Sequence, residues 1–262
     1  MFQQIAVALA LLLPLAGCGS LTRHGPIDAT LAAYVSPDAV ALAGIQVDQV
    51  RATPIYRALA KRLGQFPVVS EAHELLLTSD GKNVLAVARG DFAAQNQSDA
   101  ITLIGKTIAL GGSATAVRAA IDQSKSGVHA APRDLMARVD ALPADAQIWA
   151  VVAGWRGATA DQLREMGNFA NLDRVLRLVE GASLTVDLRA GVHAALVGDS
   201  RTEADAKTLA DSLRALASLA RMGVQRKPDL VRALDSILVK QEGRGVQVTV
   251  DITEDLAEKL VR

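Results

Sequence analysis

The sequence predicts an α+β fold: two divergent repeats of partly antiparallel sheet packed with helices. Three observations lead there. Apolar runs flank tight-turn residues twice, Glu74–Thr78 and Asn83–Arg89 around Asp80-Gly81, then Ser183–Leu188 and Val192–Val197 around Arg189-Ala190-Gly191. Such pairs read as hairpins, so part of each sheet is antiparallel. A long stretch from Thr202 to Met222 places Leu209, Leu213, Leu216 and Ala220 on one helical face. Finally, landmarks recur: Asp38 and Asp145 lie 107 residues apart, and Gly90-Asp91 and Gly198-Asp199 lie 108 apart.

The elements of the first repeat, 37–127, follow in order. Val40, Leu42, Gly44, Ile45, Val47 and Val50 form an extended run after Asp38. Thr53-Pro54 then supplies a helix N-cap and an N1 proline, with Ile55, Leu59 and Leu63 on one face before Gly64 ends the helix. The first hairpin comes next, then a polar loop from Phe92 to Ala100. Ile101–Leu110 reads as one strand, and Gly111-Gly112-Ser113 opens a helix through Ile121.

The second repeat, 128–262, starts with a short helix from Pro132 to Ala141 and a strand from Gln147 to Ala153. Helical patterning runs from Ala158 to Val179, and the second hairpin follows. Thr202 caps the long helix, with Glu203 and Asp205 at its start and Arg214 and Arg221 towards its end, as the helix dipole favours. Pro228 opens a shorter helix with Leu230, Leu234 and Ile237, which completes a helical insertion over about 202–238. From Gly245, Val246, Val248, Val250 and Ile252 alternate with polar residues as a half-buried strand does, and Thr253 caps a last helix.

Composition narrows the function classes. Half of the 262 residues are hydrophobic, enough to bury a core. Twenty-eight basic residues balance 28 acidic ones, so no global field attracts nucleic acid. Four Phe, two Trp and two Tyr leave few rings for stacking bases or sugars. The single cysteine, Cys18, excludes an internal disulfide framework and a Cys-rich zinc site.

The N-terminus is the most informative stretch. Ile5–Leu13 contains only Ile, Ala, Val and Leu; Pro14 breaks the run, and small residues follow. That is the hydrophobic core and cleavage region of a secretory signal, too short for the ~20 residues of a spanning helix. The next four residues, Leu15-Ala16-Gly17-Cys18, resemble the lipobox of bacterial lipoproteins, although Met1-Phe2-Gln3-Gln4 lacks the usual basic residue. The resemblance implies a diacylglyceryl thioether on Cys18, cleavage before it, and commonly acylation of the new amine. It divides the start of the chain into a signal peptide, 1–17, and a lipidated cysteine with linker, 18–36. Gly19 follows the cysteine, whereas Asp there is the familiar inner-membrane retention signal of enteric bacteria. The expected address is therefore the outer membrane, facing the periplasm, if the cell has two membranes.

No catalytic motif stands out in the mature region. Gly111-Gly112-Ser113 matches neither GxGxxG nor GxxxxGK[ST], so a tight turn with Ser113 as N-cap is the plainer reading. His73-Glu74 opens an HExxH pattern that Leu77 breaks, and His24, His129 and His193 are scattered. GxSxG is absent. Asp91 and Asp199 could pair as carboxylates at equivalent repeat positions, or simply turn the chain after a strand-ending glycine. Arg221, Arg226, Lys227 and Arg232 could meet a polyanion, but Asp229 and Asp235 interrupt them. Of the tryptophans, Trp149 reads as core and Trp155 as surface.

The sequence therefore points to a lipid-anchored cell-envelope protein, more a non-catalytic binding or assembly module than an enzyme. The alternative is a hydrolase-like envelope enzyme whose residues converge only in the fold. No catalytic residue, cofactor or metal is implied. The expected partners are the membrane, through the lipid on Cys18, and a protein; nucleic acid is not expected.

Overall fold

A computed structural model describes residues 25–63, 70–93, 98, 100–126, 131–154 and 178–261. In chain order the first half holds α1 (Ala29–Ala32), β1 (Ala41–Gln46), α2 (Val47–Arg51), α3 (Pro54–Leu63), β2 (Ala72–Ser79), β3 (Val84–Gly90), β4 (Ile101–Ile104), β5 (Ile108–Gly112) and α4 (Ala114–Ser126). The second holds α5 (Arg133–Asp140), β6 (Ile148–Ala153), β7 (Val179–Asp187), β8 (Gly191–Ser200), α6 (Glu203–Gly223), α7 (Pro228–Asp235), β9 (Ile237–Glu242), β10 (Gly245–Thr253) and α8 (Glu254–Val261).

The described strands join one ten-stranded sheet, ordered β4-β5-β3-β2-β1-β6-β7-β8-β10-β9. Every neighbouring pair is antiparallel, so the fold is α+β, as expected, and among the described residues the antiparallel pairing extends through the whole sheet. Outward from the centre, each half repeats one strand order: β1-β2-β3-β5-β4 and β6-β7-β8-β10-β9. Ala41 pairs with Ser79 and Ile148 with Val186, both members of the second pair standing 107 positions further on. At that offset Ala43 corresponds to Ala150, and these two face each other across the β1–β6 seam. A pseudo-twofold axis therefore passes between them. Both halves also interrupt their first hairpin at matching places, between Ala72 and Glu74 and between Val179 and Gly181.

Several elements differ from the sequence reading. Val47 and Val50 belong to helix α2, not to the extended run, because Arg51 ties that turn to the Ser70 and Ala72 carbonyls at 2.5 and 3.0 Å. Ile101–Leu110 is a hairpin, not one strand; Gly105 turns it at a φ of 63°. Leu110, moreover, pairs with both Thr102 and Val87. Ile237 and Leu238 begin strand β9, so the helices inserted after β8 end at Asp235, where Ser236 caps α7. Val179 begins β7; 155–177 lie outside the described residues. The 108-residue landmark does not hold: Gly90 pairs with Ala72, and the residue paired with the matching Val179 is Ser200, not Gly198. The stretch assigned to a linker is also part of the fold, since Ile27, Leu31, Tyr34 and Val35 are buried in the main core.

The first half buries both faces of the sheet, since Ala88 and Ala109, with Val47 and Phe92, form a smaller core on the face opposite its main one. Leu42, Leu76, Val87, Leu110, Trp149 and Val151 form one face, covered by Leu31, Val117, Ala120, Leu135 and Val139 from α1, α4 and α5. Across the strands Val246 aligns with Gly198, Ala182, Val152 and Ala41. Ala41 adjoins Leu42 and so points to the other face. There Val246 packs under Ala206, Leu209 and Ala210 of α6. The far half of the α6 stripe is not buried: Leu216, Leu219 and Met222 are 46, 59 and 57 % exposed. The closing helix α8 meets the first half through α3.

Candidate functional site

Two clefts occupy equivalent positions in the two repeats. The first, about 380 Å³, lies between α4 and the β2–β3 turn, and its walls include Tyr34, Asp38, Thr78, Asp80, Leu85 and Ala120. The second, about 310 Å³, is lined by Asp145, Thr185, Asp187, Arg189, His193 and Asp251 among others. The sheet register makes them counterparts. Thr78 lies between Leu42 and Leu85, and Thr185 between Trp149 and Ala195. Asp38 and Asp145, Thr78 and Thr185, and Asp80 and Asp187 all stand at the 107-residue offset.

The turns behind the clefts are also alike. Lys82 donates its backbone N–H to Asp80 Oδ1 at 2.8 Å, and Arg189 donates its own to Asp187 Oδ1 at 2.8 Å. These Asx turns are local chemistry that any Asp at a hairpin end can supply. The side chains differ. Arg189 folds back, its Nε 2.7 Å from Asp187 Oδ2 and its Nη1 3.0 Å from Asp145 Oδ2. That guanidinium bridges the two carboxylates and holds Asp187 below the usual carboxylate range. In the first cleft no cation of the described residues pairs with Asp38 or Asp80, and Lys82 forms no ion pair among them. Burial pushes Asp80 up, but hydrogen bonds from Asn83 and Lys82 outweigh it and leave the carboxyl lowered. The Thr78 hydroxyl is buried without a hydrogen-bond partner. The sequence signal for this site existed: extending the Asp38–Asp145 offset along the chain finds the Thr and Asp pairs.

Other candidates from the sequence do not converge. Leu15, Ala16, Gly17 and Cys18 lie outside the described residues, as do His24, His129 and Trp155. Asp91 meets His73 Nε2 at 3.2 Å, whereas Asp199 meets Arg138 at 2.7 Å, so the two carboxylates form no common site. They are not even at equivalent positions in the ladder. His73 occupies the β2 bulge and bridges Asp91 and Asp48, which hold its pKa up. His193 is raised by Asp251, 2.8 Å away. Ser113 caps α4, its Oγ accepting from Ala116 N at 3.2 Å, as a structural turn requires. Arg221 pairs with Asp235, which draws it out of the basic cluster. Trp149 is core, 1 % exposed. Among the described residues no group of three His, Cys, Asp or Glu is placed to hold a metal, and no helix is long and apolar enough to cross a membrane.

No family model matches the chain, and no curated protein matches it. Among solved structures, crystal form III of TP0453 superposes with a TM-score of 0.51 at 9 % identity, covering 90 % of this chain and 98 % of that one. Crystal form I gives 0.47 at 11 % identity, covering 90 % and 95 %. The first of these likenesses shows that the fold is shared, α helices on a large antiparallel sheet.

Proposed function

We propose that this chain is a lipid-anchored cell-envelope protein whose folded domain serves as a binding or assembly module. The observation that carries the proposal is Leu15-Ala16-Gly17-Cys18 directly after the apolar run Ile5–Leu13. Two or three acyl chains on Cys18 anchor a protein stably without a spanning helix. Gly25, the first described residue, is already buried, so at most six residues, 19–24, stand between the lipidated cysteine and the fold. At ~3.3–3.6 Å per extended residue they reach about 22 Å at most. The domain is thus held close to the membrane surface, positioned for a partner in or on that membrane. Gly19 after the cysteine favours the outer membrane, facing the periplasm, in a cell with two membranes.

Mass spectrometry of the native N-terminus tests the anchor. A diacylglyceryl Cys18 is expected, and Cys18→Ser is expected to release or misplace the domain. An intact Met1 or an unmodified Cys18 overturns the proposal. For the binding role, cross-linking in intact envelopes is expected to yield one stoichiometric partner, lost in the Cys18→Ser protein.

A further inference from the structure

We propose that the projecting end of α6 and the corner after it dock on a lipid bilayer with anionic headgroups, a second membrane contact besides the lipid. The proposal rests on the anchored reading above for the tether that brings this surface to the membrane, and on the fold for the surface itself. The apolar stripe of α6 is covered over its first half, where Ala206, Leu209 and Ala210 pack with Val246 and Leu213 lies partly buried against them. Beyond Leu213 the stripe runs into solvent: Leu216, Leu219 and Met222 follow at three-residue spacing, and Ala215 and Ala220 beside them are exposed too. Helix α7 lies alongside, tied by Asp235 to Arg221, and has no buried residue of its own. Single exposed leucines are ordinary on a protein surface, but a run of large apolar side chains on one helical face marks an interaction surface.

Two observations point to a bilayer as the occupant. The first is where the tether enters. Gln46 donates to the Pro26 carbonyl at 2.8 Å, so the chain joins the fold at the end of the sheet where β1 stops and β6 starts. The register carries that end across to β9: Ile148 pairs with Val186, Val186 with Ala194, Ala194 with Val250, and Val250 with Ile237. Helix α6 starts at the opposite end, after Ser200, and Arg214 Nη2 donates to the Val239 carbonyl at 3.1 Å. By residue 214 the helix is therefore level with Val239, and the turns carrying Leu216, Leu219 and Met222 run on towards the end where the tether enters. With at most six residues between Cys18 and Gly25, a lipid on Cys18 holds that end nearest the membrane. The second observation is charge. Arg226, Lys227 and Arg232 are exposed and make no ion pair among the described residues, against one unpaired acid, Asp229. Apolar side chains next to unpaired Lys and Arg suit the boundary between acyl chains and anionic phosphates. The helix is not long and apolar enough to cross a membrane, so its apolar face lies in the interface.

The test uses the single cysteine. With Cys18 lipidated, Leu219→Cys supplies one free thiol for a spin label. In vesicles of phosphatidylglycerol and phosphatidylcholine, that label is expected to be open to oxygen and at least fivefold shielded from a water-soluble nickel relaxant. A label on Val84→Cys, exposed at the far end of the sheet, is expected to stay in water. A second measurement removes the lipid. Residues 18–262 with Cys18→Ser, which contain every described element, should co-sediment with vesicles containing phosphatidylglycerol. Leu219→Glu should weaken this binding at least tenfold, the pair Arg226→Gln and Lys227→Gln at least threefold, and Val84→Glu not at all. An unmodified Cys18 with vesicle binding intact strikes the anchor and supports this surface. A lipidated Cys18 with the label at 219 still in water overturns the proposal. So does equal binding by Leu219→Glu, or equal binding to phosphatidylcholine alone. A label shielded in native envelopes but not in reconstituted vesicles makes the stripe a protein interface and likewise overturns it.

Discussion

Gly44 and Trp149 face each other at the seam between the repeats, and the seam predicts a sharp penalty for one methyl group. A Cβ on Gly44 would stand 2.5 Å from the indole Cζ2 and closer still to Cε2 and Nε1. The indole is 1 % exposed and packed among Leu42, Leu76 and Val151, so it has little room to withdraw. Overpacking a close-fitted core costs about 1–3 kcal/mol, and three short contacts with a rigid ring place this site at the upper end. Replacing glycine within a strand regains roughly 0.5–1 kcal/mol of chain entropy. The expected net cost of Gly44→Ala is therefore about 2 kcal/mol. At roughly 2–4 °C per kcal/mol for a chain of this size, Tm should fall by about 4–8 °C. Thermal unfolding followed by far-UV circular dichroism reads this directly. Trp149→Leu vacates the space that the new methyl needs, so the double variant should cost at least ~1 kcal/mol less than the sum of the singles. An unchanged Tm for Gly44→Ala, or additivity within ~0.5 kcal/mol, refutes the close seam.

The remaining predictions concern caps and charges. Thr53 Oγ1 accepts from Tyr56 N at 3.2 Å and donates to the Val50 carbonyl at 2.7 Å, so Thr53→Ala should cost about 1 kcal/mol in denaturant melts. His73 should titrate above 6.5 by NMR, with Asp91→Asn and Asp48→Asn each bringing it down. Because its folded pKa is raised, its stabilisation is complete below the unfolded value and fades as pH rises through the folded one; an unshifted titration in the parent protein rules this out. Glu74 runs the other way round from an ordinary ion-paired carboxylate. Burial raises its pKa despite Arg89 at 3.2 Å, so the native state holds a proton that the unfolded chain has lost, and stability should rise as pH falls through the raised value towards 4.5. Glu74→Gln retains an acceptor for Asp28 N and should flatten that slope in melts taken across the window; an unchanged slope counts against it.

Much of the local structure was legible in the residues because its causes are local. Asp80-Gly81 makes its turn whatever lies nearby, with Gly81 at a φ of 88°. Thr202 caps α6 by accepting from Asp205 N, and Pro54 starts α3, since each acts within one helical turn. The repeat was visible in the Asp38–Asp145 spacing because the β1 and β6 registers preserve it. The split at Gly105 was less legible, since a continuous apolar run fits one buried strand as well as two short ones. Val47 misled because burial in helix α2 and burial in a strand look alike in sequence.

What only the tertiary structure decided depends on contacts between distant residues. The pairing of β1 with β6 merges the repeats into one sheet, and no local signal specifies that partner. Alternation announces that a strand has an apolar face, but which face is covered depends on where the helices land. Here α4 and α5 cover one side of the first half, while α6 packs on the other side of the second. The cleft is decided in the same way. Asp38, Thr78 and Asp80 are ordinary residues in the sequence, and they become a candidate site because the hairpin, the chain before β1 and α4 meet around them.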